Sequence, residues 1–214
     1  VIVTSGFIQV GDRIRVTKGE VETVGDVLDI SLFKITIKED VTLVSYMKNR
    51  RAGRIFFVPN NYIFSELISN YSHSELKTVW DGIDITLTFD SNFKKAQKII
   101  RDILKHYSKG YSDITRKQLS KMRNKYQLRA TGVEPRVFTL LEPHGMVISG
   151  WYLTNSFAAL VLRSTICAEI LEALMKEDDI HIAYPTQQIN INKTSNPYGP
   201  ASKMPKKEFE VDDN

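Results

Sequence analysis

The spacing of apolar residues changes character once along this chain, and that change limits the folds open to it. From position 13 to 58 apolar residues recur at every second position or in short β-branched runs, and no helical period appears before about Tyr62. Arg13-Ile14-Arg15-Val16 alternates polar with apolar. Val21, Val24, Val27, Leu28 and Ile30 follow, with Gly19 and Gly25 as punctuation. Phe33, Ile35 and Ile37 then alternate with Lys34, Thr36 and Lys38, and Ile55-Phe56-Phe57-Val58 ends at Pro59. Short strands with closely spaced turn signals predict a small twisted sheet or barrel.

From 75 to 192 strands and helices take turns. Ile83, Ile85, Leu87 and Phe89 alternate with Asp84, Thr86 and Thr88, and Asp90-Ser91 is placed to cap a helix. In that helix Phe93, Ala96, Ile99, Ile100, Ile103, Leu104 and Tyr107 form one stripe, with Lys94, Lys95, Lys98, Arg101 and Lys105 opposite, and Gly110 is placed to end it. A second, polar helix is expected from Ser112-Asp113 to Lys125, with Ile114, Leu119 and Met122 as its thin apolar side. Two strands, Arg136 to Glu142 and Met146 to Leu153, flank the turn Pro143-His144-Gly145. Asn155-Ser156 can cap a helix from Phe157 to about Lys176, apolar nearly all round and so expected to be more buried than the first. A last strand is expected over Gln188 to Ile191. Without the polar helix the order is strand, helix, strand, strand, helix, strand, the split βαβ or ferredoxin-like arrangement. Lys193 to Asn214, with three prolines and no period, reads as a flexible tail.

The residue types argue against catalysis. There is no nucleophile beside a base, no metal-ligand cluster and no glycine-rich phosphate loop, and no cofactor is expected. The four histidines (His73, His106, His144, His181) lack helical ligand spacing. Asp81/Asp84 and Asp178/Asp179 read as exposed turn or strand-edge carboxylates, and Cys167, in the apolar run Ile166-Cys167-Ala168, as a buried, inert thiol. One cysteine leaves no intrachain disulfide. No run approaches the roughly 18 apolar residues that cross a bilayer. The chain begins at Val1, which is expected of a fragment whose upstream part is not included. A net charge of +4 permits an anionic partner without requiring one. Asn70-Tyr71-Ser72 and Asn192-Lys193-Thr194 match the glycosylation pattern by accident, since no secretory signal accompanies them.

Four short strings carry a resemblance. Phe7 with Val10-Gly11-Asp12-Arg13-Ile14 comes first, and Val58-Pro59-Asn60-Asn61 follows. Ile68-Ser69-Asn70-Tyr71-Ser72 is next, and then Ile180, Ile182 and Tyr184-Pro185. In this order they resemble the cytoplasmic part of the small-conductance mechanosensitive channel family. Gly11 and Asp12 suit a tight turn, where the aspartate can bond its own backbone, Pro59 ends a strand, and an asparagine of Asn60-Asn61 can cap a short helix from Tyr62 to Leu67.

The resemblance implies an α+β chain: a small Sm-like β domain over 1–72, its first few residues the end of a pore helix, then a ferredoxin-like α/β domain over 73–192 and the tail over 193–214. It implies a homoheptamer beneath a membrane, on the cytoplasmic side of the cell inner membrane. Seven copies would enclose a vestibule pierced by portals, passing ions and small osmolytes on hypo-osmotic shock, with the terminal strand after Tyr184-Pro185 helping to close a small barrel on the symmetry axis. The stretch between Ile37 and Ile55 and the segment 111–132 are longer than is usual in the family. Lys48, Arg50, Arg51 and Arg54, at the tip of the first of these, are candidates for lipid-headgroup contact if that domain lies against the bilayer. The plainer reading of the same residues is a solvated hairpin end whose charge discourages edge pairing. The competing function is a soluble Sm-like ring that binds RNA. Against it, the expected sheet strands lack clustered aromatic and basic residues, and no nucleic-acid partner is expected.

Overall fold

Five strands near the start make one antiparallel sheet. A computed structural model describes residues 6–41, 51–73, 76–126 and 132–184, with no account of the side chains of 124–126. The strands are β1 (Arg13–Lys18), β2 (Val21–Ile30), β3 (Lys34–Glu39), β4 (Ile55–Pro59) and β5 (Leu67–Asn70), ordered β4-β3-β2-β1-β5. Their alternation aims Ile14, Val16, Val27, Ile35, Ile37 and Val58 into one core, which Ile8 joins from the entering chain. The pairing of β2 with β3 is tight at one point and irregular just beyond it. Gly25 lies opposite Glu39, a bulge follows between Val27 and Asp29, and a Cβ on Gly25 would stand 2.2 Å from the Lys38 carbonyl oxygen. Helix α1 (Tyr62–Ser65) is two residues shorter than expected because β5 starts at Leu67, and β5 itself is too short to leave a periodic signal.

The second layer holds β6 (Thr78–Leu87), α2 (Phe93–Tyr126), β7 (Arg136–Glu142), β8 (Gly145–Asn155) and α3 (Ala159–Leu174). The sheet order is β6-β8-β7, all antiparallel, and Ile182 bridges Leu87 on the free side of β6. This is the expected split βαβ order as far as the described residues reach. Gln188 to Ile191 and the tail lie outside them. Ala96, Ile100 and Leu104 of α2 and Ile166, Ile170 and Leu174 of α3 cover one face of the sheet, meeting Ile83, Leu87, Ile148 and Tyr152. The opposite face carries Trp80 on β6, Trp151 on β8, and Arg136, Phe138 and Leu140 on β7. The Trp151 ring lies 3.1 Å from where a Gly82 Cβ would be, and the register aligns Arg136 with Trp151, Phe138 with Ser149 and Leu140 with Val147. Trp80, Phe138, Leu140 and Trp151 are exposed on this face, whereas Val147, Ser149 and Leu153 of the central strand are buried on it.

Three expectations about helices need correction. The first concerns Gly110, which does not end a helix. α2 runs unbroken for 34 residues, about 51 Å. A mid-helix glycine costs only about 1 kcal/mol relative to alanine. The buried stripe beyond it is made of hydroxyls: Ser112 Oγ donates to the Val133 carbonyl (2.9 Å), and Thr115 Oγ1 lies 2.6 Å from Thr78 Oγ1. An apolar period is therefore lost from the sequence while the helix continues, and Ile114 points to solvent.

The caps are the second correction. Asn92, rather than Asp90 or Ser91, caps α2, accepting from the Lys95 N–H (3.2 Å), while Ser91 Oγ accepts from the His181 N–H (2.9 Å). Asn155 accepts from the Phe157 N–H (2.8 Å) and turns the chain, so α3 begins at Ala159 with no side-chain cap. The short α1 likewise has no side-chain cap.

The third correction is the burial of α3. Ile166, Ile170 and Leu174 are buried, but Val161, Leu171 and Met175 face away from the sheet, with Val161 72% and Met175 73% exposed. A helix apolar on every side has been given only one side to bury.

Candidate functional site

The first and third strings of the resemblance, about sixty residues apart in sequence, meet in space. Gly11 takes a left-handed φ of 89°, its N–H donating to the Val27 carbonyl (2.8 Å), and this turns Asp12 toward β5. Asp12 Oδ2 accepts from the Gln9 N–H and from Asn70 Nδ2, both at 2.8 Å, and Oδ1 accepts from Ser72 Oγ at 2.7 Å. Asn70 Nδ2 also donates to the Phe7 carbonyl (3.0 Å), and Ser72 Oγ accepts from the Arg13 N–H (3.0 Å). The entering chain is thus clasped to the strand that leaves the first sheet. Asn70 is committed on its nitrogen, which sets aside a glycan there.

Arg13 carries the clasp to the second layer. Its guanidinium takes Asp26 in a fork (2.8 and 3.1 Å), pairs with Asp40 (2.7 Å), donates to the Ser156 carbonyl (2.8 Å) and lies 4.5 Å over the Phe157 ring. Ser156 and Phe157 form the link from β8 to α3. Beside this joint is a cleft of about 260 Å³, also lined by Asp81 and Arg163. Arg163 forks onto Asp81 (2.8 and 3.1 Å) and donates to the Gly82 carbonyl, while the Tyr152 hydroxyl donates to Asp81 (2.9 Å). Burial first, and then the Asp81 charge, push the Tyr152 phenol far above its ordinary value. Asp81 is therefore a partly buried ion-pair member and not the exposed carboxylate expected. No sequence signal marked Arg13, Asp26, Asp40 or Arg163 as partners, because a charge at an inward strand position looks like any other charge in a sequence.

The remaining expected residues are dispersed. Pro59 ends β4, and Asn60 Nδ2 donates to the carbonyls of Ser31 (2.9 Å) and Leu32 (2.8 Å), tying the β2–β3 turn. Tyr184 is exposed, and Pro185 lies outside the described residues. So do Lys48 and Arg50, whereas Arg51 is exposed. Arg54 forks onto the buried Glu39 (2.7 and 2.9 Å) and stacks 5.0 Å over Phe56, so its charge is already matched within the sheet. Cys167 is exposed and not buried as expected, because it lies off the inward stripe of α3. Partial burial still pushes its thiol above the ordinary 9.0, which keeps it protonated near neutral pH. No cluster of three metal-ligating residues occurs among the described residues.

The Glu39–Arg54 pair has a pH signature. The hydrogen bonds from Arg54 hold the Glu39 carboxyl below its ordinary 4.5. A lowered folded-state value contributes stability that is complete above the unfolded value and lost as pH falls through the folded one. Urea midpoints measured between about pH 6 and pH 3 should therefore fall less steeply in Glu39→Gln than in the wild type. Identical slopes would mean the pair adds nothing.

Two family models match, one to each layer. The model described as Mechanosensitive ion channel, beta-domain covers residues 1–73, and that described as Mechanosensitive ion channel MscS, C-terminal covers residues 81–178. The chain belongs to the MscS family of mechanosensitive ion channels, which are not enzymes. Among solved structures, Helicobacter pylori MscS in its closed state is similar at 14% identity with a TM-score of 0.61, over 89% of this chain and 61% of that one. The chain thus spans less than two thirds of that protein's length, and the likeness supports the shared fold. Two structures of Arabidopsis thaliana MSL1 are similar over 82% of this chain and 53% and 51% of theirs, at 16% and 14% identity with TM-scores of 0.44 and 0.48. Comparison with curated proteins finds no match. No helix among the described residues is long and apolar enough to cross a membrane.

Proposed function

We propose that this chain is the cytoplasmic vestibule of a mechanosensitive channel of the cell inner membrane, forming a homoheptameric cage that filters ions and small osmolytes leaving during hypo-osmotic shock. The observation that carries this reading is the joint one: both family models match, in the family's order, and two of the four strings that mark the resemblance, around Asp12 and Asn70, close on each other in the clasp. Its role is mechanical and electrostatic. The first layer couples neighbours in a ring, and the second extends the cage.

A closed ring of identical subunits needs two different edges that fit each other. Among the described residues the first sheet has two, since β4 pairs only with β3 and β5 only with β1. β4 also presents the exposed Ile55 and Phe57. Ile55→Glu with Phe57→Glu should dissociate the assembly, read by light scattering, while the far-UV circular dichroism stays that of the wild type. Assembly equal to the wild type would remove β4 from the ring.

The decisive experiment on the reading as a whole is the coding sequence immediately upstream of Val1. Several spans of about 20 apolar residues running into Val1 are expected. A start codon directly before Val1 would overturn the channel reading and favour the RNA-binding ring.

A further inference from the structure

We infer that the cleft beside the Arg13 joint binds a small zwitterion, a molecule with a carboxylate at one end and a cationic nitrogen at the other. The site belongs to a single subunit, so it does not depend on how copies assemble.

The helix supplies the first half of the argument. Ala159, Leu160 and Val161 make the first turn of α3, and all three line the cleft. The N–H groups of a first helical turn have no partner within the helix, and among the described residues no side chain caps α3. A carboxylate oxygen placed at such a terminus accepts from these donors and meets the positive end of the helix dipole. The cleft volume of about 260 Å³ lies below the roughly 300 Å³ at which pockets for drug-sized ligands begin, so the guest is small.

A second feature of the wall, independent of the helix, points to a guest. Ser156 lines the same cleft and is only 8% exposed. Its N–H donates to the Lys77 carbonyl and its own carbonyl accepts from Arg13, but its hydroxyl has no partner among the described residues. Buried polar groups are as a rule hydrogen-bonded, so this one calls for an acceptor from outside the chain.

Charge decides the kind of guest. Arg13 and Arg163 line the cleft against Asp40 and Asp81, so the wall favours neither a free anion nor a free cation. A dipolar molecule suits both halves of such a wall. Its carboxylate takes the α3 terminus and the Ser156 hydroxyl, and its nitrogen meets the two aspartates and the Phe157 ring. Residues of both layers line the cleft, so a guest there ties the layers together.

The test is isothermal titration calorimetry on the whole chain with glycine betaine, and with choline and acetate as carriers of one end each. Saturable binding of glycine betaine, at least about tenfold tighter than that of either fragment, is the expected result. Two variants locate it. Ser156→Ala removes a hydroxyl that has no bond to lose, so Tm should hold while binding weakens about tenfold. Ala158→Asp supplies the missing cap at an exposed position, which should raise Tm and abolish binding by filling the terminus from within. No saturable binding of glycine betaine would overturn the inference. Acetate binding as tightly as glycine betaine would overturn it too, by showing a plain anion site. Wild-type affinity in either variant, with circular dichroism unchanged, would remove the guest from this cleft.

Discussion

Arg13→Ala is expected to lower the unfolding free energy by about 3 kcal/mol, seen as a fall of about 6–12 °C in Tm. Arg13 is only 6% exposed, and its guanidinium meets two carboxylates, a carbonyl and an aromatic face. Removing one partner of a buried ion pair strands the others at a cost of about 3–5 kcal/mol. Asp26 and Asp40 keep side-chain exposures of 37% and 33%, so water screens them partly and the lower end applies. Because Arg13 also spans from the first sheet to the β8–α3 link, the melt should broaden or split as the layers lose their shared residue. Arg13→Lys should rescue little, since one ammonium cannot fork Asp26 while reaching Asp40 and Ser156. A loss below about 1 kcal/mol would show that the joint is ornamental.

Gly25→Ala should be comparably severe although it adds a single methyl group. The added carbon would lie 2.2 Å from the Lys38 carbonyl oxygen and 2.7 Å from Ile37 Cγ2, and the nearest atom is backbone that cannot rotate aside. Relief requires β2 and β3 to separate at this point, losing ladder hydrogen bonds and core contacts together. Overpacking of this kind typically costs about 1–3 kcal/mol, and a backbone clash puts Gly25→Ala at the top of that range. Urea unfolding measures it. A variant within about 0.5 kcal/mol of the wild type would show that the pairing is looser than these distances.

What could be read from the residues beforehand follows from how each element is buried. β1, β3 and β6 were legible because a strand with one wet face must alternate. The first half of α2 was legible for the corresponding helical reason. Its second half was not, because Ser112 and Thr115 satisfy their hydroxyls inside the fold and so give no apolar signal. α3 was recognised as a helix but misjudged in burial, since a sequence records that a side chain is apolar and not whether its own chain covers it. The strings around Gly11 and Asn70 were visible as strings. That Asp12, Asn70 and Ser72 close on one another was not, because hydrogen bonding between residues 58 and 60 positions apart leaves no local pattern. Arg13 was visible only as part of a string, and its bonds to Asp26, Asp40 and the Ser156 carbonyl left no trace in the sequence.

The face of the second sheet opposite the helices also has an optical meaning. The chain contains two tryptophans, Trp80 and Trp151, and both lie there. Its native indole emission is therefore a local signal from that one surface, blind to the first sheet and to the helices. Whatever comes to rest on the face changes the polarity around every emitting indole at once. The molecule carries, unlabelled, a lamp on that surface.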